Sequence, residues 1–207
     1  MKRTRIKICG ITRPEDALYA AGLGVDAIGL VFYRQSPRYL PIARAREVLR
    51  DLPPFVTVVG LFMDAQPAEV RAVMAEIPLD LLQFHGTETA EFCRGFGLRY
   101  IKSVAMMDSP DVKAYIARFP EAAGFLLDAV KSGEAGGSGT GFDWKKVPAD
   151  VDRPLLLAGG LNPENVAHAV RQTGCYAVDV SSGVESKKGI KSPEKMRAFV
   201  EQVRTAS

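Results

Sequence analysis

Cysteine, histidine, long apolar runs and charge of one sign are all scarce in this chain. Its three cysteines, Cys9, Cys93 and Cys175, are an odd number at unrelated spacings. No Cys-x-x-Cys pair occurs, so neither a zinc site nor a disulfide framework is indicated. A reducing, cytoplasmic setting is the expectation. The two histidines, His85 and His168, come with no acidic cluster at metal-ligand spacing, so no catalytic metal is expected. No apolar run reaches the roughly 20 residues of a membrane span, and the N-terminal Met-Lys-Arg-Thr-Arg-Ile-Lys lacks the apolar stretch of a signal peptide. The net charge is only +3, and the lysines and arginines are spread along the chain. The basic stripe that nucleic acid needs is missing. Linkers and low-complexity tracts are absent too.

What remains is a single α/β domain spanning 1–207, with hydrophobic residues making up 47% of it, enough for a substantial core. Eight short apolar runs are predicted as strands: 6–10, 27–32, 56–62, 79–84, 100–104, 124–128, 154–158 and 176–180. Most are continuously apolar rather than alternating, the mark of parallel strands covered on both faces. Helices are predicted between them. Arg13-Pro14-Glu15-Asp16, Gln66-Pro67-Ala68-Glu69, Asn162-Pro163-Glu164-Asn165 and Ser192-Pro193-Glu194-Lys195 each place Pro at a first helical position with acid behind it. Ser109-Pro110-Asp111 is a weaker version. The fold class expected is a (β/α)8 barrel with parallel strands. Such barrels take about 250 residues, so this one must economise. The weakest helix slot follows strand six, where 130–144 holds five glycines and only 143–146 offers a helical turn. An open doubly wound sheet is the competing architecture.

Barrel enzymes carry their sites at the C-terminal strand ends. Those positions hold Cys9, Ser36 to Arg38, Gln83, His85, Asp128, Gly159-Gly160 and Asp179 to Gly183. Strand parity puts Lys7 and Cys9 on one face and the isoleucines on the other, so Cys9 points into the barrel mouth. The ordinary explanation is a small buried hydrophobe. At a strand end, a thiolate is also a base if nearby donors lower its pKa. Leu126 and Asp128 share the inward face of strand six. Asp128 is either a loop-fixing carboxylate or, facing Cys9, the acid of an acid–base pair. Gly159-Gly160 and Ser181-Ser182-Gly183 read as anion holders, because loops seven and eight of many barrels bind phosphate beside a short helix N-terminus. Two tight turns are the plain alternative. Arg38 is a solvated surface residue or a two-pronged partner for a carboxylate. His85 is a ligand contact or a loop anchor.

In these segments the chain resembles phosphoribosylanthranilate isomerases of tryptophan biosynthesis. The resemblance runs through Lys7-Ile-Cys-Gly-Ile-Thr12, Gly29-Leu-Val-Phe32 with Ser36-Pro-Arg38, Val59-Gly-Leu-Phe62 and Leu82-Gln-Phe-His-Gly86. It continues through Leu127-Asp-Ala129 with the Gly136–Gly141 run, Leu157-Ala-Gly-Gly-Leu-Asn-Pro-Glu-Asn165, and Val178-Asp-Val-Ser-Ser-Gly-Val-Glu185 with Gly189-Ile-Lys191. It implies a cofactor-free Amadori rearrangement of N-(5-phosphoribosyl)anthranilate, a small phosphorylated substrate. It also implies roles: Asp128 as general acid, Cys9 as general base, Arg38 on the anthranilate carboxylate, and Gly159, Gly160, Ser181, Ser182 and Gly183 on the phosphate. Gln83, His85 and Asp179 would line the pocket. The glycine-rich 130–141 loop is expected to act as a lid. Monomer and homodimer are both compatible with the scaffold. The rivals are less well served. A metal-dependent sugar-phosphate epimerase wants paired carboxylates and histidines, and a histidine-pathway ribosyl isomerase wants aspartate at position 9. A non-catalytic sensor of phosphorylated ligand has no use for Cys9 and Asp128 in one mouth.

Overall fold

The computed structural model describes residues 3–108, 111–131 and 141–206. The expected lid at 130–141, its two ends apart, and the Ser109-Pro110 helix start lie outside the described residues. The chain runs β1 (Arg5–Cys9), α1 (Pro14–Gly22), β2 (Ala27–Val31), α2 (Ile42–Leu49), β3 (Thr57–Phe62), α3 (Pro67–Glu76), β4 (Leu81–Phe84) and α4 (Ala90–Arg94). It continues with β5 (Tyr100–Ala105), α5 (Val112–Ala117), β6 (Gly124–Asp128), β7 (Leu155–Leu157), α6 (Val166–Thr173) and β8 (Ala177–Val180). An antiparallel pair, β9 (Glu185–Lys187) and β10 (Ile190–Lys191), precedes the last helix, α7 (Pro193–Ala206).

Strands β1 to β8 close into one parallel barrel in sequence order, which excludes the open sheet. Every predicted strand start falls within two residues of its observed one. Side-chain alternation sorts the two faces as expected. Ile6, Ile8, Phe125, Leu127, Val178 and Val180 join the apolar shell between barrel and helices. Ile101, Leu126, Leu156, Ala158 and Ala177 form a separate cluster inside the barrel. Along the inward face, composition changes from apolar to polar toward the C-terminal ends. Ile101 gives way to Ser103, Leu126 to Asp128 and Ala177 to Asp179. The apolar layers hold the barrel together, and the polar layer above them floors the site.

Pro14, Pro67 and Pro193 open α1, α3 and α7 as predicted. At α3 the Gln66 N–H donates to Glu69 Oε2 at 2.9 Å, closing the N-terminus. Asn162-Pro163 does not start its helix as expected, because α6 begins only at Val166. The Asn162 side chain accepts the N–H groups of Glu164 and Asn165, both at 3.0 Å. That closes a local turn in place of the first helical turn. Asp111 caps α5 by accepting the Ala114 N–H at 3.1 Å. Between β6 and β7 the described residues hold a single 3-10 turn at Trp144–Lys146, capped by Asp143, where the sequence offered no more.

Candidate active site

A cavity of about 700 Å3, mouth included, opens at the C-terminal end of the barrel. It is lined by every residue that the resemblance gave a role except Gly183: Cys9, Arg38, Gln83, His85, Asp128, Gly159, Gly160, Asp179, Ser181 and Ser182. Val31, Leu61, Met63 and Leu161 supply apolar wall. Gly183 serves differently. A Cβ there would collide with the Leu161 carbonyl, so its lack of a side chain lets loop eight lie against loop seven.

On one side stands Cys9, at the end of β1. Gly29, its partner on β2, leaves room for the sulfur: a Cβ on Gly29 would sit 2.7 Å from Sγ. One layer below, Lys7 pairs with Asp179 across β1 and β8, with Nζ donating to Oδ2 at 2.8 Å. Both are buried, and Asp179 Oδ1 has no hydrogen-bond partner among the described residues. Burial favours the neutral amine, but Asp179 and Cys9 prevail and hold Lys7 charged more firmly than usual. Burial pushes the Cys9 thiol up. Lys7 and Lys191 pull it down and Asp179 adds to the rise. The cations that a thiolate base requires are present, but in the open cavity burial outweighs them.

Above Cys9 is a second charged group. Arg38 is buried, not solvated, and its Nε and Nη2 bind Glu185 Oε1 and Oε2 at 2.7 and 2.9 Å. Lys191, 1% exposed, reaches the same carboxylate at 3.0 Å and the Ser181 carbonyl at 3.1 Å. Burial would raise Glu185, but the two cations hold it below the usual carboxylate range. One edge of the Arg38 guanidinium is thus fixed by Glu185, and the fork geometry leaves the other for a ligand.

Opposite stands Asp128, at the end of β6. It is 6% exposed, and burial pushes its carboxyl up to about 6. The Ala129 N–H and distant Lys7 oppose this weakly. His85 faces it, with Nε2 3.4 Å from Asp128 Oδ2. Burial, with Lys102 second, drives His85 down to about 4, so the ring is neutral at pH 7. Its Nδ1 lies 2.7 Å from Ser103 Oγ and 3.4 Å from Gln83 Nε2. With the Gln83 amide nitrogen turned toward the ring, Nδ1 is the acceptor and the ring hydrogen lies on Nε2, toward Asp128.

Loop seven turns through Gly159 and Gly160 at φ +80° and +66°. A Cβ on Gly159 would collide with the backbone of Ala129. Loop eight follows with a 3-10 turn at Ser182–Val184.

The profile of the family described as N-(5'phosphoribosyl)anthranilate (PRA) isomerase matches residues 6–202. The chain belongs to the PRA isomerase family. It is 56% identical over 205 residues to the N-(5'-phosphoribosyl)anthranilate isomerase of Pseudomonas aeruginosa, covering 99% of this chain and 97% of that one. With the isomerase of Azotobacter vinelandii it shares 52% over 206 residues, the whole of both chains. Among solved structures, the isomerase from Thermotoga maritima superposes with a TM-score of 0.89 at 40% identity, covering 98% and 99%. Another PRA isomerase, solved with reduced 1-(o-carboxyphenylamino)-1-deoxyribulose 5-phosphate, gives a TM-score of 0.86 at 37% identity and the same coverage.

Four residues around this cavity carry no role in the sequence expectations: Lys7, Ser103, Glu185 and Lys191. Lys7 carried a signal, since an inward-facing lysine in a buried strand requires a partner. Asp179, inward on the strand that closes the barrel, is that partner. Glu185 and Lys191 belong to a hairpin inserted between β8 and α7, and only its pairing brings them beside Arg38. Ser103 carried no signal of its own.

Proposed function

We propose that this chain converts N-(5'-phosphoribosyl)anthranilate to 1-(2-carboxyphenylamino)-1-deoxyribulose 5-phosphate by an Amadori rearrangement, a step of tryptophan biosynthesis. One observation carries the residue roles. A carboxyl group raised to about 6 by burial faces a thiol across one cavity, between a buried arginine and two glycine-bearing loops.

Asp128 is the acid. It protonates the furanose ring oxygen as the C1–O bond breaks and the nitrogen lone pair forms the C=N+ bond of the open Schiff base. His85 Nε2–H faces the carboxylate this leaves behind. Cys9, as thiolate, takes the C2 proton. The C2–H electron pair becomes the C1=C2 bond, and the C=N+ pair returns to nitrogen, giving the neutral enolamine. The ketone follows when C1 gains a proton and the C2 hydroxyl loses one, which restores both groups. Each properly placed acid or base contributes about 10²–10⁴-fold. The outer edge of Arg38 takes the anthranilate carboxylate. Backbone N–H groups around Gly159, Gly160, Ser181 and Ser182 take the phosphate, with Lys191 behind Ser181 adding positive charge. Phosphate binding anchors the substrate far from the reacting carbons.

The test is loss of anthranilate fluorescence when freshly made phosphoribosylanthranilate meets metal-stripped protein. Turnover is expected, and a flat trace would sink this reading.

A further inference from the structure

Lys7 is the buried ionisable group that the acid–base scheme leaves unused. We propose that Lys7 is a positioning residue for the general base: held on Asp179, its ammonium stands beneath the Cys9 sulfur and stabilises the thiolate that removes the C2 proton. The inference deepens the reading of the reaction given above and rests on it.

Three observations carry it. Lys7 shares the inward face of β1 with Cys9, and it is 3% exposed, so water does not screen its charge. Its ammonium donates to Asp179 at 2.8 Å, which holds the charge two residues below Cys9 on the same strand face. The pair is anchored by strand register, Lys7 opposite Asp179, and so does not depend on a loop. The other charged and titratable groups around Cys9 are engaged elsewhere or distant. Lys191, from β10, is shared between Glu185 and Ser181. Arg38, from the loop after β2, is clamped on Glu185. His85 and Asp128 face Cys9 from across the cavity. A barrel interior is an expensive place for an ion pair, and a purely structural purpose is served as well by apolar residues of similar volume.

A further point shows what such a cation would do. In the open cavity the thiol holds its proton more tightly than Asp128 does, whereas the reaction needs the proton on the carboxyl and the sulfur bare. The productive arrangement is then a minority of the singly protonated site, and its share is set by the gap between the two groups. A cation beneath the sulfur narrows that gap.

The test compares wild type, Lys7→Gln, Lys7→Arg and the double variant Lys7→Gln/Asp179→Asn. Two quantities are measured against pH: the rate of Cys9 alkylation by iodoacetamide, corrected with Cys9→Ser protein, and kcat/KM. In Lys7→Gln the alkylation midpoint and the alkaline limb of kcat/KM rise together. The plateau between the limbs falls about ten-fold for each pH unit of that rise. Lys7→Arg, which keeps the charge, stays nearest wild type. Where Lys7→Gln alone leaves an uncompensated carboxylate and fails to fold, the double variant decides: its midpoint still lies above wild type, by less than the single change. A plateau that falls with both limbs unmoved, or a double-variant midpoint at or below wild type, overturns the proposal and leaves Lys7 a structural residue. Because alkylation needs no substrate, a Lys7-dependent midpoint in a protein that does not turn over phosphoribosylanthranilate would overturn the reading of the reaction instead.

Discussion

The two sides of the barrel mouth are built on opposite principles. Around Asp128 the protein removes charge and water. The carboxyl is buried, His85 beside it is neutral, and Ser103 and Gln83 fix the ring through Nδ1. Around Cys9 it concentrates charge instead. Lys7 and Asp179 lie below, and Arg38, Glu185 and Lys191 lie above, almost all out of water. Desolvation alone raises a carboxyl, which is what a proton donor needs. It also raises a thiol, which is what a base must avoid, so the base side needs fixed cations and the acid side does not.

The largest effects come from removing the two poles. Asp128→Asn and Cys9→Ser are each expected to lower kcat by about 10²–10⁴-fold, with product-analogue affinity changed little. Steady-state kinetics alongside a calorimetric titration of the analogue separates the two quantities. Loss of binding with kcat retained would reverse the assignment of roles.

The charged side should also be the fragile one. Glu185→Gln leaves Arg38 and Lys191 buried without their shared carboxylate. Breaking a buried ion pair by removing one partner costs about 3–5 kcal/mol, so urea unfolding should show a loss of that order. KM should rise as well, because Arg38 loses the partner that aims its free edge. A variant as stable as wild type would mean that the network is solvated in solution.

The neutral side should show the opposite sign. The Asp128 carboxyl sits at about 6 in the folded chain against 3.8 for an ordinary aspartate, a difference worth about 3 kcal/mol. A folded-state pKa raised in this way contributes stability that is fully present below pH 3.8. That stability is lost as pH rises through 6. Asp128→Asn should therefore be more stable than wild type at pH 8, by up to about 3 kcal/mol, with the advantage vanishing near pH 3. Activity and stability would thus be opposed at this one residue, as expected where burial serves chemistry.

The barrel and most of the mouth are legible in the sequence because they rest on local signals. Continuous apolar runs mark the strands, and period-two parity aims Cys9 and Asp128 inward. What lies beyond that reach depends on long-range pairing. Glu185 joins Arg38 from 147 positions away, and Asp179 joins Lys7 from 172. Asn162 misleads for the reverse reason. Its side chain satisfies the turn locally, and the helix that Pro163 suggested starts later. The sign of the Cys9 shift was out of reach as well. It depends on how completely the cavity excludes water, and no motif encodes that.

The subtlest consequence concerns Ser103. If the acid side works through neutral hydrogen bonds, cutting one should cost little. Ser103→Ala removes the 2.7 Å contact to His85 Nδ1, and Gln83, at 3.4 Å, is the remaining donor. A neutral hydrogen bond contributes about 0.5–1.5 kcal/mol, so kcat should fall roughly 2–10-fold, and Ser103→Thr should restore it. Nitrogen chemical shifts of His85 give an independent readout. Nδ1 stays unprotonated in wild type, and the tautomers mix in Ser103→Ala. A charge-based acid side would instead make Ser103→Ala lose stability on the scale of Glu185→Gln, about 3–5 kcal/mol in urea unfolding, with His85 carrying a proton at pH 7. The contrast between the two sides therefore turns on the ratio of these two effects more than on either alone.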